Sequence, residues 1–230
     1  MRILAIGDIH GHLQALDALL DMVQPQPDDL LVTLGDYVDR GPNVAGVLDR
    51  LIELQSRCRL VPLLGNHDWM MLEARGDAQT FRDWFHFGGE QTLESYAAEP
   101  HGYLFQDAVP TSHWRFLADD CLPYFEADTH FFVHANVEYD VALAAQSEST
   151  LYWEKLDDNE QRRHVSGKIM ICGHTAQKSG RPLVLEHAVC IDTWIYGDGW
   201  LTCLDVQQEA YWQANPRGET RMVLFYFLFS

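Results

Sequence analysis

Three apolar segments of this sequence each end in a glycine that is followed by acidic, amide or imidazole side chains. They read "ILAIGDIHG", "LLVTLGDYVDRGP" and "LVPLLGNHD", and two later segments end in "VHA" and "GHT". In open α/β sheets, reactive groups gather on loops at the carboxyl ends of the strands. We therefore expect one cluster formed by Asp8, His10, Asp36, Asp39, Arg40, Asn66, His67, Asp68, His134 and His174.

The residue types in this cluster favour a metal centre. A single histidine at a strand end is usually structural, but four imidazoles crowded together with several carboxylates are unfavourable without cations. Carboxylate and amide oxygens combined with imidazole nitrogens, and no thiolate, suit manganese, iron or zinc. Two such ions, bridged by a carboxylate and about 3.5–4 Å apart, are used in phosphate-ester hydrolysis.

The segment "GDYVDRG" contains the other groups that this chemistry requires. Two cations bind a phosphoryl group and lower the pKa of a bridging water until it is a hydroxide nucleophile. Arginine adds a bidentate contact to phosphate oxygens, and a histidine polarised by a carboxylate can protonate the leaving alkoxide. By residue type, Asp36 would bridge the metals and Arg40 would hold phosphate. His67 would be the acid, oriented by Asp39.

Parallel strands are expected before each of the first three motifs. The apolar runs Arg2–Ile6, Leu30–Leu34 and Leu60–Leu64 are continuous, as in strands that are buried on both faces. The glycines that follow these runs are 28 and 30 residues apart, the span of a βαβ unit. Between the runs, Leu13–Val23 and Val44–Leu54 have apolar residues at helical spacing. This order predicts a layered α/β fold.

The rest of the chain predicts helices followed by a second sheet. Segment 69–123 has a mainly helical pattern that breaks at Gly88-Gly89, and its many aromatic side chains are expected in the core. The runs "HFFVHA", "KIMICGHT", "LVLEHAVCIDT" and "GWLTCLDV" predict short strands of a mixed or antiparallel second sheet. The long polar connection 138–168 is typical of a rim or lid over a site.

Length and composition limit the possible classes of protein. The 230 residues contain no repeat and no low-complexity linker, so we expect one domain, residues 1–230. A net charge of −18 argues against nucleic acid or an anionic membrane as a partner. The five cysteines form no CxxC pair, and neither a signal-peptide pattern nor a membrane span is present, so we expect a cytoplasmic protein. The oligomeric state is left open.

The C-terminal segment "MVLFYFLF", Met222–Phe229, is unusually apolar. It is expected to form a buried strand or to pack under the sheet. A dimer contact and an exposed, aggregation-prone edge are the alternatives.

In combination, "GDIHG", "GDYVDRG" and "GNHD", followed by "VHA" and "GHT", resemble the motifs of the calcineurin-like metallophosphoesterases, in their phosphoprotein-phosphatase branch. The size, the "IDT" near the end and the segment "WLTCLDV" make the chain similar to small bacterial and bacteriophage-lambda-type serine/threonine phosphatases. The resemblance extends from Ile3 to about Val206. It implies a metallophosphoesterase fold in which two mixed β-sheets form a central sandwich flanked by helices.

The resemblance also implies a role for each matching residue. The implied ligands of two divalent metal ions are Asp8, His10, Asp36, Asn66, His134 and His174. Asp8 and His10 would bind one ion, and Asp36 would bridge both ions. Asn66, His134 and His174 would complete the second site. His67 would be the general acid, oriented by Asp39, and Arg40 would contact phosphate. Manganese is the expected metal, with iron or zinc as alternatives.

Two positions depart from the pattern of the family. Its third motif usually ends in Glu, whereas this chain has Asp68, as in the related diadenosine tetraphosphate hydrolases. Those hydrolases lose the second aspartate of "GDYVDRG", which this chain keeps as Asp39. The second phosphate-binding arginine of the phage-type enzymes matches Lys155, which keeps the charge but loses the planar fork. Arg162 or Arg163 could serve instead.

The expected activity is that of a metal-dependent phosphomonoesterase that acts on phosphoprotein, phosphopeptide or small phosphate-ester substrates. The main alternative is a nucleoside-polyphosphate hydrolase acting on diadenosine tetraphosphate. A third alternative is an inactive module that holds metal and binds phosphate without turnover. The fold alone does not distinguish substrates.

Overall fold

Continuous apolar runs form the centre of the first sheet. In the computed structural model, which describes residues 1–97, 103–208 and 210–224, these runs are strands β1 (Ile3–Ile6), β2 (Leu30–Thr33) and β3 (Arg59–Pro62). The three strands are parallel, with Ile3 opposite Leu30 and Leu30 opposite Arg59. Every strand begins and ends within two residues of its predicted bounds.

Three further strands extend this sheet beyond β1. They are β9 (Leu201–Asp205), β10 (Ala210–Ala214) and β11 (Thr220–Leu224), and the order is β11-β10-β9-β1-β2-β3. The prediction that "GWLTCLDV" belongs to the second sheet is wrong, because β9 pairs antiparallel with β1 and places Leu204 opposite Ala5. A hydrophobic run indicates a buried strand but does not indicate its sheet.

The second sheet is mixed, as predicted. Its strands are β4 (Tyr124–Glu126), β5 (His130–Val133), β6 (Ile169–Cys172), β7 (Leu183–Val184) and β8 (Ala188–Cys190). They follow the order β4-β5-β6-β8-β7, in which β5, β6 and β8 are parallel and the two outer strands are antiparallel.

The two sheets pack face to face. Ala5 and Val32 of the first sheet share a buried hydrophobic cluster with Phe132, Ile171 and Val189 of the second. The predicted fold class, two mixed sheets in a sandwich flanked by helices, is confirmed.

Two amphipathic helices pack against the first sheet, and both have the predicted bounds. They are α1 (Leu13–Val23) and α2 (Val44–Leu54). Leu16 of α1 and Val47 of α2 lie in the same buried cluster as Leu4 of β1. Asn43 caps α2, since its Oδ1 accepts the N–H of Gly46 at 2.9 Å.

The segment between β3 and β4 is mainly helical over its described residues, as predicted. Its helices are α3 (Asn66–Glu73), α4 (Ala78–Trp84), α5 (Glu90–Ser95) and α6 (Thr111–Arg115). A π-helical turn joins α4 to α5, and within it Gly88 has a φ of 119°, which confirms the predicted break. Phe81 and Trp84 are buried as expected, whereas Phe87 is exposed.

The polar connection 138–168 contains a 3₁₀ turn, Leu143–Ala145, and one short α-helix, α7 (Glu148–Trp153). The described part of the C-terminal segment forms a strand, as predicted, but the predicted burial is wrong, because Met222 and Leu224 lie on the edge strand β11 and are exposed. The remaining residues of that segment, 225–229, lie outside the described residues. All five cysteines are free thiols. Within the described ranges, the helices are too short or too polar to cross a membrane.

Candidate metal centre and active site

The carboxyl ends of five strands converge at one edge of the sandwich and bring the predicted residues together. Asp8 and His10 follow β1, and Asp36 follows β2. Asn66 and His67 form the first turn of α3, and so are helical rather than part of a loop. Asp68 follows them in the same turn of α3. The other predicted residues of the cluster lie beside these, after β2, β5 and β6: Asp39, Arg40, His134 and His174.

Several of these residues have backbone conformations that are rare for residues other than glycine. The φ angles are 44° at His10, 53° at Asp36, 70° at Asp39, 67° at Arg40 and 61° at His174. Each such left-handed residue costs about 1–3 kcal/mol and persists only where the surroundings determine it. Left-handed residues of this kind cluster at functional sites, which is where these five lie.

Asp36 lies at the centre of the cluster. Its Oδ2 is 3.4 Å from His10 Nε2, and its Oδ1 is 3.5 Å from His134 Nε2. Asp36 belongs to two groups of possible ligand atoms, one with His10 and His67 and the other with His134 and His174. Within each group the ligand atoms lie within 4.8 Å of one another. This carboxylate is therefore placed to be shared between two cation sites.

The hydrogen bonds of three imidazoles fit a metal centre. Nδ1–H of His10 donates to the carbonyl of Val38 at 2.9 Å, and Nδ1–H of His134 donates to that of Leu34 at 2.8 Å. Nε2–H of His174 donates to a carbonyl of α7, that of Trp153, at 3.1 Å. In each ring the other nitrogen therefore keeps its lone pair, as in histidines that bind metals.

The lone pairs of His134 and His174 face other acceptors. Oδ1 of Asn66 lies 3.0 Å from His134 Nε2 and 3.0 Å from His174 Nδ1. Oδ1 of Asp36 is the third acceptor in the same space. Acceptors that converge without a proton between them require a cation, so the residues present fit divalent metal ions.

Burial sets the protonation of these groups. It lowers the pKa of His10 and of His134, and burial together with the neighbouring His134 lowers the pKa of His174 to about 4. The imidazoles are therefore neutral at neutral pH, which is the form that binds a metal. Burial alone would raise the pKa of Asp36, but the histidines around it, His134 first, hold that pKa below its ordinary range.

Asp192 is a buried acid that we did not predict as part of the cluster. It lies two residues after β8, close enough to Asp8 for the two carboxyl groups to share a hydrogen bond. Burial raises the pKa of Asp192 to about 6, and burial with the charge of Asp192 raises the pKa of Asp8. Two carboxyl groups in contact need a proton or a cation between them. An acid after a buried strand is the same signal that identified Asp8 and Asp36.

Asp68 joins the loop after β2 to the start of α3. Its carboxylate accepts four backbone N–H groups: from Gly65 at 3.0 Å, Asp36 at 2.7 Å, Tyr37 at 3.0 Å and Val38 at 3.3 Å. Asp68 is shorter than the glutamate that is usual in the family at this position, and its carboxylate holds the backbone N–H of Asp36.

The proposed acid and its partner are in contact. His67 Nδ1 lies 2.7 Å from Asp39 Oδ2, and both side chains are buried. Burial raises the pKa of Asp39, while hydrogen bonds from His67 and Thr92 act in the opposite direction.

Arg40 lies between the cluster and an aromatic ring. Its guanidinium is 4.0 Å from the ring centroid of Tyr196, and one of its N–H groups donates to His10 Nε2 at 3.0 Å. Tyr196 was not predicted, because a tyrosine in a polar loop gives no signal of such a contact. Its ring restrains the guanidinium at the edge of the cluster.

The second predicted phosphate contact lies farther out. Lys155 is exposed on the wall of a cavity of about 350 Å³ that Arg162 also lines. Arg162 and Arg163 form surface ion pairs with acidic neighbours. Of these basic side chains, Arg40 is the one that contacts the cluster within the described part of the chain.

A family model described as calcineurin-like phosphoesterase matches residues 1–198. The chain belongs to this family. The resemblance found in the motifs is thereby confirmed, and calcineurin-like phosphoesterases are dinuclear, metal-dependent proteins. The family match supports the predicted class of enzyme, a metal-dependent hydrolase.

Relatives within the calcineurin-like phosphoesterases carry two different names. A symmetrical bis(5'-nucleosyl)-tetraphosphatase of Acidovorax sp. is 45% identical over 75 residues, which are 32% of this chain and 26% of that protein. Serine/threonine-protein phosphatase 1 of Salmonella typhimurium is 38% identical over 86 residues, 37% of this chain and 38% of that protein. The matches therefore span well under half of these relatives.

Solved structures share the fold. A cold-active protein-tyrosine phosphatase of the psychrophile Shewanella sp. superimposes with a TM-score of 0.64 at 17% identity, covering 96% of this chain and 80% of that one. A metallophosphoesterase from Sphaerobacter thermophilus superimposes with a TM-score of 0.56 at 17% identity, and the match covers 89% of this chain and 83% of that one. At such identities the likeness concerns the fold alone.

Proposed function

We propose that this chain is a metal-dependent phosphomonoesterase of the serine/threonine protein phosphatase type, acting on phosphoproteins, phosphopeptides or small phosphate esters. The observation that carries the proposal is the contact of 2.7 Å between His67 Nδ1 and Asp39 Oδ2, beside the cluster around Asp36. The alkoxide of serine is a poor leaving group and needs a proton, whereas a nucleotide phosphate departs readily without one. A buried, oriented acid therefore favours a phosphomonoester as substrate.

The metal centre follows from the donor atoms. The residues that would hold two divalent ions, with Asp36 bridging, are Asp8, His10, Asp36, Asn66, His134 and His174. When bound, the ions would offset charge on the phosphoryl oxygens and make a water acidic enough to supply a nucleophile at neutral pH. Imidazole and amide ligands favour manganese, iron or zinc over magnesium.

The other residues would act directly on the substrate. Arg40 would hold phosphate oxygens through its planar guanidinium, and the ring of Tyr196 would restrain that group. Nδ1–H of His67 is donated to Asp39, so the transferable proton would be the one on Nε2 of the doubly protonated ring. His67 would then pass that proton to the leaving oxygen as the P–O bond breaks.

A diadenosine tetraphosphate hydrolase is the second candidate. It is supported by the 45% identity to the Acidovorax tetraphosphatase and by Asp68, which the resemblance associates with such hydrolases. The retained Asp39 argues for the first candidate.

One comparison tests the proposal. Manganese-loaded protein is given a phosphoserine peptide and diadenosine tetraphosphate at equal concentrations, and phosphate release and nucleotide products are quantified. We expect the larger kcat/KM on the peptide. A value at least tenfold larger on the dinucleotide would reject the phosphatase assignment in favour of the second candidate. Binding of phosphate without turnover of either substrate would reject both.

A further inference from the structure

The carboxylate of Asp39 has two hydrogen-bond donors besides His67. Nε1–H of Trp84 donates to it, at 3.0 Å from each oxygen, and the hydroxyl of Thr92 donates to Oδ1 at 2.7 Å. The backbone N–H of Asp39 donates in turn to the Thr92 hydroxyl oxygen at 2.9 Å. Asp39, Trp84 and Thr92 are each 0% exposed.

The chain presents these donors from the two sides of the break between α4 and α5. Trp84 is the last residue of α4, and Thr92 lies in the first turn of α5. The turn between them contacts the loop of Asp39 directly, since the carbonyl of Gly88 accepts the N–H of Arg40 at 3.1 Å. A side chain at Gly88 would come within 2.9 Å of Arg40 Cγ, so the close approach requires glycine there.

These contacts leave the carboxylate little freedom to turn. Oδ1 is bonded to Thr92 and Trp84, and Oδ2 is bonded to His67 and Trp84. The residue itself has a φ of 70°, a conformation that the surroundings must impose. The direction in which the imidazole of His67 is held therefore depends on the segment that contains α4 and α5.

We propose that Trp84 and Thr92 are positioning residues that orient Asp39 and, through it, the proton-donating imidazole of His67. The inference rests on the proposed function for its effect on catalysis, but the contacts themselves can be tested without activity. The alternative is that the two donors only satisfy a buried acid and support the fold. If the two donors only support the fold, removing them should lower the rate on all substrates alike. If they orient His67, removing them should lower mainly the rate on substrates whose leaving group needs a proton.

Two matched pairs of variants separate these roles. Thr92→Val removes the hydroxyl at nearly constant volume, and Thr92→Ser restores it. Trp84→Phe removes the indole N–H. Its control is Phe81→Leu, which loosens the packing against the Trp84 ring but leaves the indole N–H in place, since the ring centroids of Phe81 and Trp84 are 5.9 Å apart. For every variant the kcat and KM on a phosphoserine peptide and on p-nitrophenyl phosphate are measured, together with bound metal and Tm.

We expect Thr92→Val and Trp84→Phe to lower kcat on the phosphoserine peptide by about 10- to 100-fold, as for a misplacement of about 1 Å. On p-nitrophenyl phosphate, whose leaving group is stable without a proton, we expect a loss below about threefold. KM and metal content should stay near wild type, and Thr92→Ser and Phe81→Leu should behave like wild type on both substrates. Equal losses on the two substrates, or equal losses in the controls, would overturn the inference.

A spectroscopic measurement on the metal-free protein makes the test independent of turnover. The indole N–H resonance of Trp84 is assigned as the one that Trp84→Phe removes from the ¹H–¹⁵N spectrum. We expect it to lie downfield, as for a charge-assisted hydrogen bond, and to move upfield in Asp39→Asn. An unmoved resonance would overturn the inference even in an active enzyme. If wild-type protein turned over neither ester, the proposed function would be rejected instead. The position of the Trp84 resonance would then still test the hydrogen bond between Trp84 and Asp39.

Discussion

His67 Nδ1 lies 2.7 Å from Asp39 Oδ2, and both side chains are at most 3% exposed. The contact fixes which nitrogen of the ring faces the carboxylate, so Nε2 is the atom left to carry a proton towards a leaving group. In His67→Asn we expect kcat on a phosphoserine peptide to fall by about 10²–10⁴-fold. The loss on p-nitrophenyl phosphate should be much smaller, because nitrophenolate leaves unprotonated.

The measurement is kcat on both substrates with metal content quantified alongside. Asp39→Asn should give the same pattern more mildly, since it only misorients the imidazole. Equal losses on the two substrates with both metals bound would mean that His67 positions phosphate or water and is not the acid.

Arg40 offers a second kinetic test. A bidentate contact that tightens in the transition state should, when removed, lower kcat as well as raise KM. We therefore expect Arg40→Ala to change both constants while the metal content stays near wild type. Arg57→Ala is the control, because Arg57 is exposed and pairs with Glu53 on α2. Unchanged kinetics in Arg40→Ala would mean that this side chain only packs against Tyr196 and His10 and does not contact phosphate.

Most of the cluster could be predicted because parallel strands end at a common edge. That rule brings Asp8, Asp36, His134 and His174 together from local sequence alone. It also applies to Asp192, which was missed although it follows β8 in the same way.

The partners of Asp39 could not be predicted in this way. Trp84 and Thr92 are 45 and 53 residues away from it, and in the sequence they have the pattern of ordinary core residues. The sequence also does not indicate to which sheet β9 belongs, since the apolar pattern of this strand fits either layer of the sandwich. Long-range pairing depends on how elements pack, which local periodicity does not encode.

Asp68 is expected to matter for stability as well as for the site. In Asp68→Asn, an amide N–H₂ replaces an oxygen that accepts backbone N–H groups, which leaves buried donors unpaired. We expect a loss of about 2–5 kcal/mol in the free energy of unfolding, measured with urea. Metal affinity should fall by roughly 10- to 100-fold, because the backbone of Asp36 is released.

The control for this variant is Asp77→Asn. Asp77 caps α4 by accepting the N–H of Thr80 at 2.7 Å, and asparagine caps helices equally well. The two variants make the same chemical change at a buried and at an exposed position. If Asp68→Asn and Asp77→Asn had equal free energies of unfolding, the role given to Asp68 would be contradicted.

The pair Arg2–Asp29 predicts a pH dependence far from the metal centre. Burial alone would raise the pKa of Asp29, but hydrogen bonds from Arg2 and from the N–H of Gln26 lower it to about 2. Because the folded pKa lies below the unfolded value of about 3.9, ionised Asp29 stabilises the fold above pH 4. This contribution, about 2 kcal/mol, is lost as the pH falls from about 5 to about 2.

Asp29→Asn should therefore be less stable than wild type at pH 7, and the difference should shrink towards pH 3. Urea unfolding at several pH values measures it. Asp28→Asn is the control, because that neighbouring side chain is 75% exposed and pairs with the N-terminus at 3.6 Å. A difference independent of pH would show that the lost contacts do not depend on the charge of Asp29.

The most direct test of the two-ion centre is a metal titration of stripped protein. Phosphate release and bound metal per chain are measured in the same samples, for wild type and for Asp36→Asn. We expect no turnover without metal, recovery with manganese at least as good as with magnesium, and two ions per chain at full activity. Asp36→Asn should lose both ions and turnover together. Full turnover of the wild type after prolonged incubation in excess chelator would contradict the account.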